Sequence, residues 1–127
     1  MQTKQEKLEY LNRECNTNYT SLDEVDWGYI SKYRILSESF IREFSDKVDW
    51  VDISHNQTLS EDFIREFQDK VSWASISWKQ KLSESFIREF ENKVCWDYIL
   101  NYQKLSKNFI REFKYLTKHT YLNYIDY

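Results

Sequence analysis

The sequence predicts an all-α solenoid of four two-helix repeats, and three observations carry that expectation. Tryptophan recurs at Trp27, Trp50, Trp73 and Trp96, and the segment Phe-Ile-Arg-Glu-Phe occurs four times, both with a period of 23 residues. A fixed period of this size marks supersecondary units that stack on one another. With one Gly and no Pro, the chain lacks the turn punctuation of β-hairpins and of Gly-rich phosphate loops. Each period also holds two short apolar patterns with helical spacing, each preceded by a helix-start signal.

The organisation expected is an N-terminal cap over residues 1–24, four tandem repeats over 25–116 and a C-terminal cap over 117–127, in one compact unit. The first helix of a repeat, such as Asp49 to Asn56, opens on a capping position occupied by Asp26, Asp49, Ser72 and Cys95 in the four copies. Asp and Ser accept an orphan backbone N–H there, and a thiol does so poorly, at a cost of about 1 kcal/mol. Val48 before the cap and Ile53 within the helix have the spacing of a hydrophobic staple. A short strand over Trp50 to Ile53 is the competing reading, since Trp, Val and Ile also suit sheets.

The second helix, Ser60 to Lys70 in the second copy, opens on a serine followed by acidic residues that suit the helix dipole. Leu59 is placed to staple on Ile64. Phe63, Ile64 and Phe67 share one face of an amphipathic helix about ten residues long, and Phe67 is expected in the core. Neither helix is long enough to persist alone, so each pair must bury its apolar face against neighbouring copies. At the end of the chain, His119 and Leu122 fall one period after Trp96 and Ile99, as in a decayed half-repeat.

Composition bounds the function. Apolar residues make up 41%, charged residues 31%, and the net charge is −3, which describes a globular protein and opposes general nucleic-acid binding. No apolar run approaches the roughly 18 residues of a membrane span, and Met1 to Lys7 lacks the apolar stretch of a signal peptide. A membrane partner is therefore not expected, and an intracellular location is. His55 and His119, with Cys15 and Cys95, have no metal-site or disulfide spacing, and no nucleophile elbow or phosphate loop is present. No enzyme, cofactor or metal is expected.

Arg42, Arg65, Arg88 and Arg111 form a column along one side of the solenoid that could track a phosphate backbone. Helical spacing points instead to self-neutralisation. Glu38 and Asp46 flank Arg42 at four residues, Glu61 and Asp69 flank Arg65, and Glu84 precedes Arg88. Arg111 is the exception, with Lys107 and Tyr115 at those places. From Leu100 onward Lys104, Lys107, Arg111, Lys114 and Lys118 outnumber Glu112 and Asp126, whereas acids outnumber bases before it. That polarity permits an end-to-end contact, and a monomer or weak homo-oligomer is expected.

In repeat proteins the recurring positions build the core and the varying ones face partners. Variation concentrates after the tryptophan and between the two helices. The candidate partner-binding residues are Tyr29, Tyr33, His55, Asn56, Trp78, Lys79, Tyr98 and Tyr102, read as a ribbon along the solenoid, together with Arg111. Tyr, Trp and Arg are the types favoured at binding hot spots.

The repeat, Leu-Ser-Glu-x-Phe-Ile-Arg-Glu-Phe-x-x-Lys-Val-x-Trp-x-x-Ile-Ser over about Val25 to Leu116, resembles short helical repeats in proteins of giant DNA viruses and some phages. The resemblance implies repeat architecture in a viral protein that binds or obstructs a host factor, a defence component among them, with the host cytoplasm as its location. It carries no functional residues with it. The expected function is thus a non-enzymatic protein–protein interaction module. The alternative is a single-stranded nucleic-acid binder that uses the basic C-terminal end and the exposed tyrosines.

Overall fold

A computed structural model describes residues 2–116. The cap expected over 117–127 and the half-repeat at His119 and Leu122 lie outside the described residues. After the N-terminal helix α1 (Lys4–Cys15) and a 3-10 turn at Leu22–Glu24, the chain alternates two kinds of short helix. The first helices of the repeats are α2 (Trp27–Tyr33), α4 (Trp50–Asn56), α6 (Trp73–Lys79) and α8 (Trp96–Tyr102). The second helices are α3 (Glu38–Glu43), α5 (Glu61–Glu66), α7 (Glu84–Glu89) and α9 (Lys107–Phe113). The fold is an all-helical repeat stack in which α2 packs on α4, α4 on α6 and α6 on α8.

Trp50 to Ile53 is helical, not extended, because Asp49 nucleates the turn. Its carboxylate accepts from the Val51 and Asp52 amides at 3.1 Å, and its carbonyl accepts from the Ile53 amide at 2.8 Å. Asp26 and Ser72 cap their helices through the side chain in the same way, and Cys95 makes no such bond.

The second helix is shorter than its apolar pattern suggests, six residues in the first three repeats. It stops because the Phe67 backbone leaves helical geometry (φ −109°, ψ 29°) and its carbonyl then receives two amides, from Lys70 at 2.9 Å and Val71 at 3.1 Å. This turn carries Val71 back into the core and delivers the cap of the next first helix. Asp46 and Asp69 consequently lie beyond their helices, where no i,i+4 pairing with arginine is available.

The core is a continuous column of Phe40, Phe63, Phe86 and Phe109, with Ile30, Ile53, Ile76 and Ile99 beside them, all essentially inaccessible. Phe67, expected in the core, is only half-buried; the deepest aromatic of its helix is Phe63, 1% exposed. Each half-buried tryptophan lies over the second phenylalanine of its own repeat: Trp50 over Phe67 at 5.1 Å, Trp73 over Phe90 at 5.1 Å and Trp96 over Phe113 at 4.6 Å. Its indole N–H is satisfied by the carbonyl five residues earlier, as in Trp50 to Ser45 at 2.9 Å and Trp73 to Gln68 at 3.0 Å. Helix α1 closes the first repeat with buried Leu8, Leu11 and Cys15, and sets Tyr10 against Phe40 and Phe44. It begins in a Thr3–Glu6 capping box and ends at Asn16 in the left-handed conformation (φ 53°), a place Asn tolerates.

Candidate functional site

Three bonded columns fix one repeat against the next, and they determine which polar side chains remain for a partner. In the first, Gln57, Gln80 and Gln103 each reach back one repeat: Gln80 accepts from the Leu59 amide at 3.0 Å and donates to the Ser54 and Gln57 carbonyls at 2.9 and 2.6 Å. In the second, the hydroxyls of Ser31, Ser54 and Ser77 accept the amides of Asp49, Ser72 and Cys95 in the following repeat. In the third, Glu38 accepts from the Ser60 amide and hydroxyl at 2.6 and 3.1 Å, and Glu61 and Glu84 do the same for Ser83 and Ser106. Reasoning from the sequence missed these clamps. The signal was present, because Gln57, Gln80 and Gln103, Ser31, Ser54 and Ser77, and Glu38, Glu61 and Glu84 each recur with the 23-residue period.

The first three arginines of the column are neutralised, but by other partners than helical spacing indicates. Arg42 binds Glu66, Arg65 binds Glu89 and Arg88 binds Glu112, each through two nitrogens and each 24 residues ahead in the next repeat. Glu38, Glu61 and Glu84 are instead the acceptors of the serine clamp. The physical cause is that Glu38, Glu61 and Glu84 are already engaged by the serines of the following repeat, while the next repeat sets a glutamate within reach of each guanidinium fork. The hydrogen bond from Arg42 holds the Glu66 carboxyl below the usual carboxylate range, and Arg88 does the same to Glu112. Within its helix Arg65 also reaches Asp62 at 2.8 Å, and Asp69 pairs with Lys93 at 3.4 Å. At the N-terminal end the unmatched Glu43 is met by Lys7 of α1 at 3.6 Å. Arg111 ends the column with Asn108 as its hydrogen-bond partner at 3.4 Å and no acid within ion-pair distance among the described residues.

The varying positions of the first helices do form an aromatic ribbon, in two groups. At its start Tyr29 and Tyr33 of α2 meet at 5.1 Å, with Lys32 over Tyr33 and Arg34 over Tyr29. Further along, three helices contribute to one cluster around Trp78. His55 of α4 approaches the indole edge-on at 5.3 Å, and Tyr98 of α8 stacks on it at 5.3 Å. Tyr102 lies at 5.6 Å, and the Lys79 ammonium stands 4.7 Å from the ring centroid. Trp78 is 38% exposed and Tyr102 54%, so the cluster is a surface feature, not core. Asn56 is exposed and donates to the Asp52 carbonyl of its own helix. Arg111 sits on α9, among the second helices, in the arginine column and not on the ribbon.

Beside the cluster, where α6 and α8 adjoin, a groove of about 360 Å³ is lined by Trp78 and Tyr102, the clamps Gln80 and Gln103, and Lys79, Lys81 and Lys104. Lys81 and Lys104 are not among the candidate ribbon residues, although Lys104 belongs to the basic C-terminal end. They follow the first helices, in positions where the earlier repeats have Ile35 and Thr58. Among the described residues no group of three or more His, Cys, Asp or Glu side chains could hold a metal ion. No helix among them is long and apolar enough to cross a membrane. Compared with known proteins, the chain matches no family model, no curated protein and no solved structure.

Proposed function

We propose that this chain is a non-enzymatic helical-repeat interaction module that binds another protein through the aromatic ribbon of its first helices. The observation that carries the reading is the cluster of His55, Trp78, Tyr98 and Tyr102. It is assembled from three repeats at positions the fold leaves free, and it exposes ring surface that nothing in the chain covers among the described residues. Large, rigid side chains lose little entropy on binding and dominate interface energetics, so such a cluster is a natural anchor. The resemblance of the repeat to those of giant DNA viruses and phages extends the proposal to a host factor, such as a defence component, that binding would obstruct.

The second reading, a single-stranded nucleic-acid binder, draws on the same exposed rings and on the basic C-terminal end. The engagement of Arg42, Arg65 and Arg88 by carboxylates argues against it, since a bound backbone needs an extended cationic track. Tagged protein captured from host lysate with and without nuclease treatment, beside a Trp78→Ala/Tyr102→Ala variant, tests the proposal. A retained protein lost with the variant supports it. Recovery of nucleic acid alone, abolished by nuclease or moderate salt, overturns it in favour of the second reading.

A further inference from the structure

The geometry points to an acidic peptide segment as the occupant of the groove between α6 and α8, an apolar or aromatic residue seated against the exposed faces of Trp78 and Tyr102 and flanking carboxylates on Lys79, Lys81 and Lys104. This inference rests on the interaction-module reading and names the chemistry of its partner. Charge complementarity is the first argument. The lysines rim one groove, and none of the three has an acid within ion-pair distance among the described residues, whereas Arg42, Arg65 and Arg88 of the second helices are each held by a glutamate.

Comparison between repeats is the second argument. The floor of the groove is structural, since Gln80 and Gln103 hold the repeats together. The rim is not: the positions of Lys79 and Tyr102 carry Tyr33 and Asn56 in the earlier repeats, and those of Lys81 and Lys104 carry Ile35 and Thr58. The fold therefore tolerates neutral residues at these places, and only at the third repeat boundary do three lysines surround exposed rings. Extent decides between polymers. The cationic patch covers a single groove, and the ribbon before it carries Asp52, so it suits a few carboxylates around one anchor and not a phosphate backbone followed over many charges.

The test is fluorescence anisotropy with a short labelled peptide of Glu and Asp around one central Phe. Its controls are the same peptide with Lys for each acid, the same peptide with Ala for Phe, and labelled oligothymidylate. The acidic Phe peptide is expected to bind at least about tenfold more tightly than the Lys peptide. Binding should fall by about tenfold or more in Lys79→Gln/Lys81→Gln/Lys104→Gln and in Trp78→Ala, and stay at the parent level in Lys70→Gln, an exposed lysine that does not line the groove. Circular dichroism checks folding, and Tyr102→Ala replaces Trp78→Ala if that variant unfolds. Equal binding of the acidic and Lys peptides, indifference to the lysine substitutions, or tighter binding of oligothymidylate through the same residues overturns the inference. A lysate partner lost with Trp78→Ala/Tyr102→Ala but retained by the lysine variant would also overturn it, while leaving the interaction module intact.

Discussion

Gln80 reaches back across a repeat boundary to the backbone of Gln57, donating from Nε2 to its carbonyl oxygen at 2.6 Å. The same amide serves the Ser54 carbonyl and the Leu59 N–H, so one buried side chain satisfies three main-chain groups that the loop between helices leaves without partners. Gln57 and Gln103 repeat the arrangement at the other two boundaries. The clamp turns a loop, which would otherwise need water, into a dry contact between repeats.

Gln80→Ala is accordingly expected to destabilise the protein by at least about 2 kcal/mol, because unsatisfied buried groups carry their full desolvation penalty. Chemical denaturation measures it. Loss of less than the effect of an exposed control such as Gln5→Ala would show that the clamp contributes nothing.

Phe63→Ala should cost about 3–5 kcal/mol, as expected for a fully buried aromatic in a core that cannot collapse around it. Phe67→Ala should cost clearly less, since Phe67 is half-buried and its loss chiefly uncovers Trp50, 5.1 Å away. Equilibrium unfolding of both variants checks the order, and a reversed order would contradict the depth assigned to the two rings.

Cys95→Asp should stabilise by about 1 kcal/mol. Cys95 starts α8 without a side-chain cap, whereas Asp49 bonds two amides at the equivalent position of α4. The amide of residue 95 keeps its bond to the Ser77 hydroxyl in either case. A shift of the denaturation midpoint, with amide exchange slowed in the first turn of α8, is the expected readout.

Stability should fall on acidification through the ladder of arginine and glutamate. Glu66 and Glu112 have folded pKa values below their ordinary ones, so their contribution is complete above the usual Glu value of about 4.3 and is lost as pH drops through the depressed folded value. Both carboxylates are solvent-exposed, so the effect is modest and weakened by salt. Thermal melts from about pH 6 down to about pH 3, with Glu66→Gln flattening the profile, measure it.

Much of the fold was legible in the sequence because its period repeats every structural decision four times. Asp49, Ser60 and Ser72 announce helix starts by residue type alone, and the failure of Cys95 as a cap follows from the chemistry of a thiol. The end of α5 was not legible. Phe67 continues the helical apolar spacing and yet leaves the helix, because Val71 must return to the core and the next cap must meet Ser54. The ribbon residues Tyr29, Tyr33, Trp78, Tyr98 and Tyr102 were recognisable as the places where copies differ. Their division into two clusters, and the lysine rim beside Trp78, depend on how adjacent helices are spaced.

By itself the sequence determined the number of repeats, the helix starts, the core column of Phe40, Phe63, Phe86 and Phe109 and the surface left to vary, since each follows from local propensity and periodicity; the partial exposure of Phe67 did not follow from it. Only the tertiary structure decided which charges meet. Arg42 takes Glu66 in the next repeat and leaves Glu38 to Ser60, because stacking brings residues about one period apart within hydrogen-bond reach. Spacing within a helix cannot reveal a partner that lies across the gap between two of them.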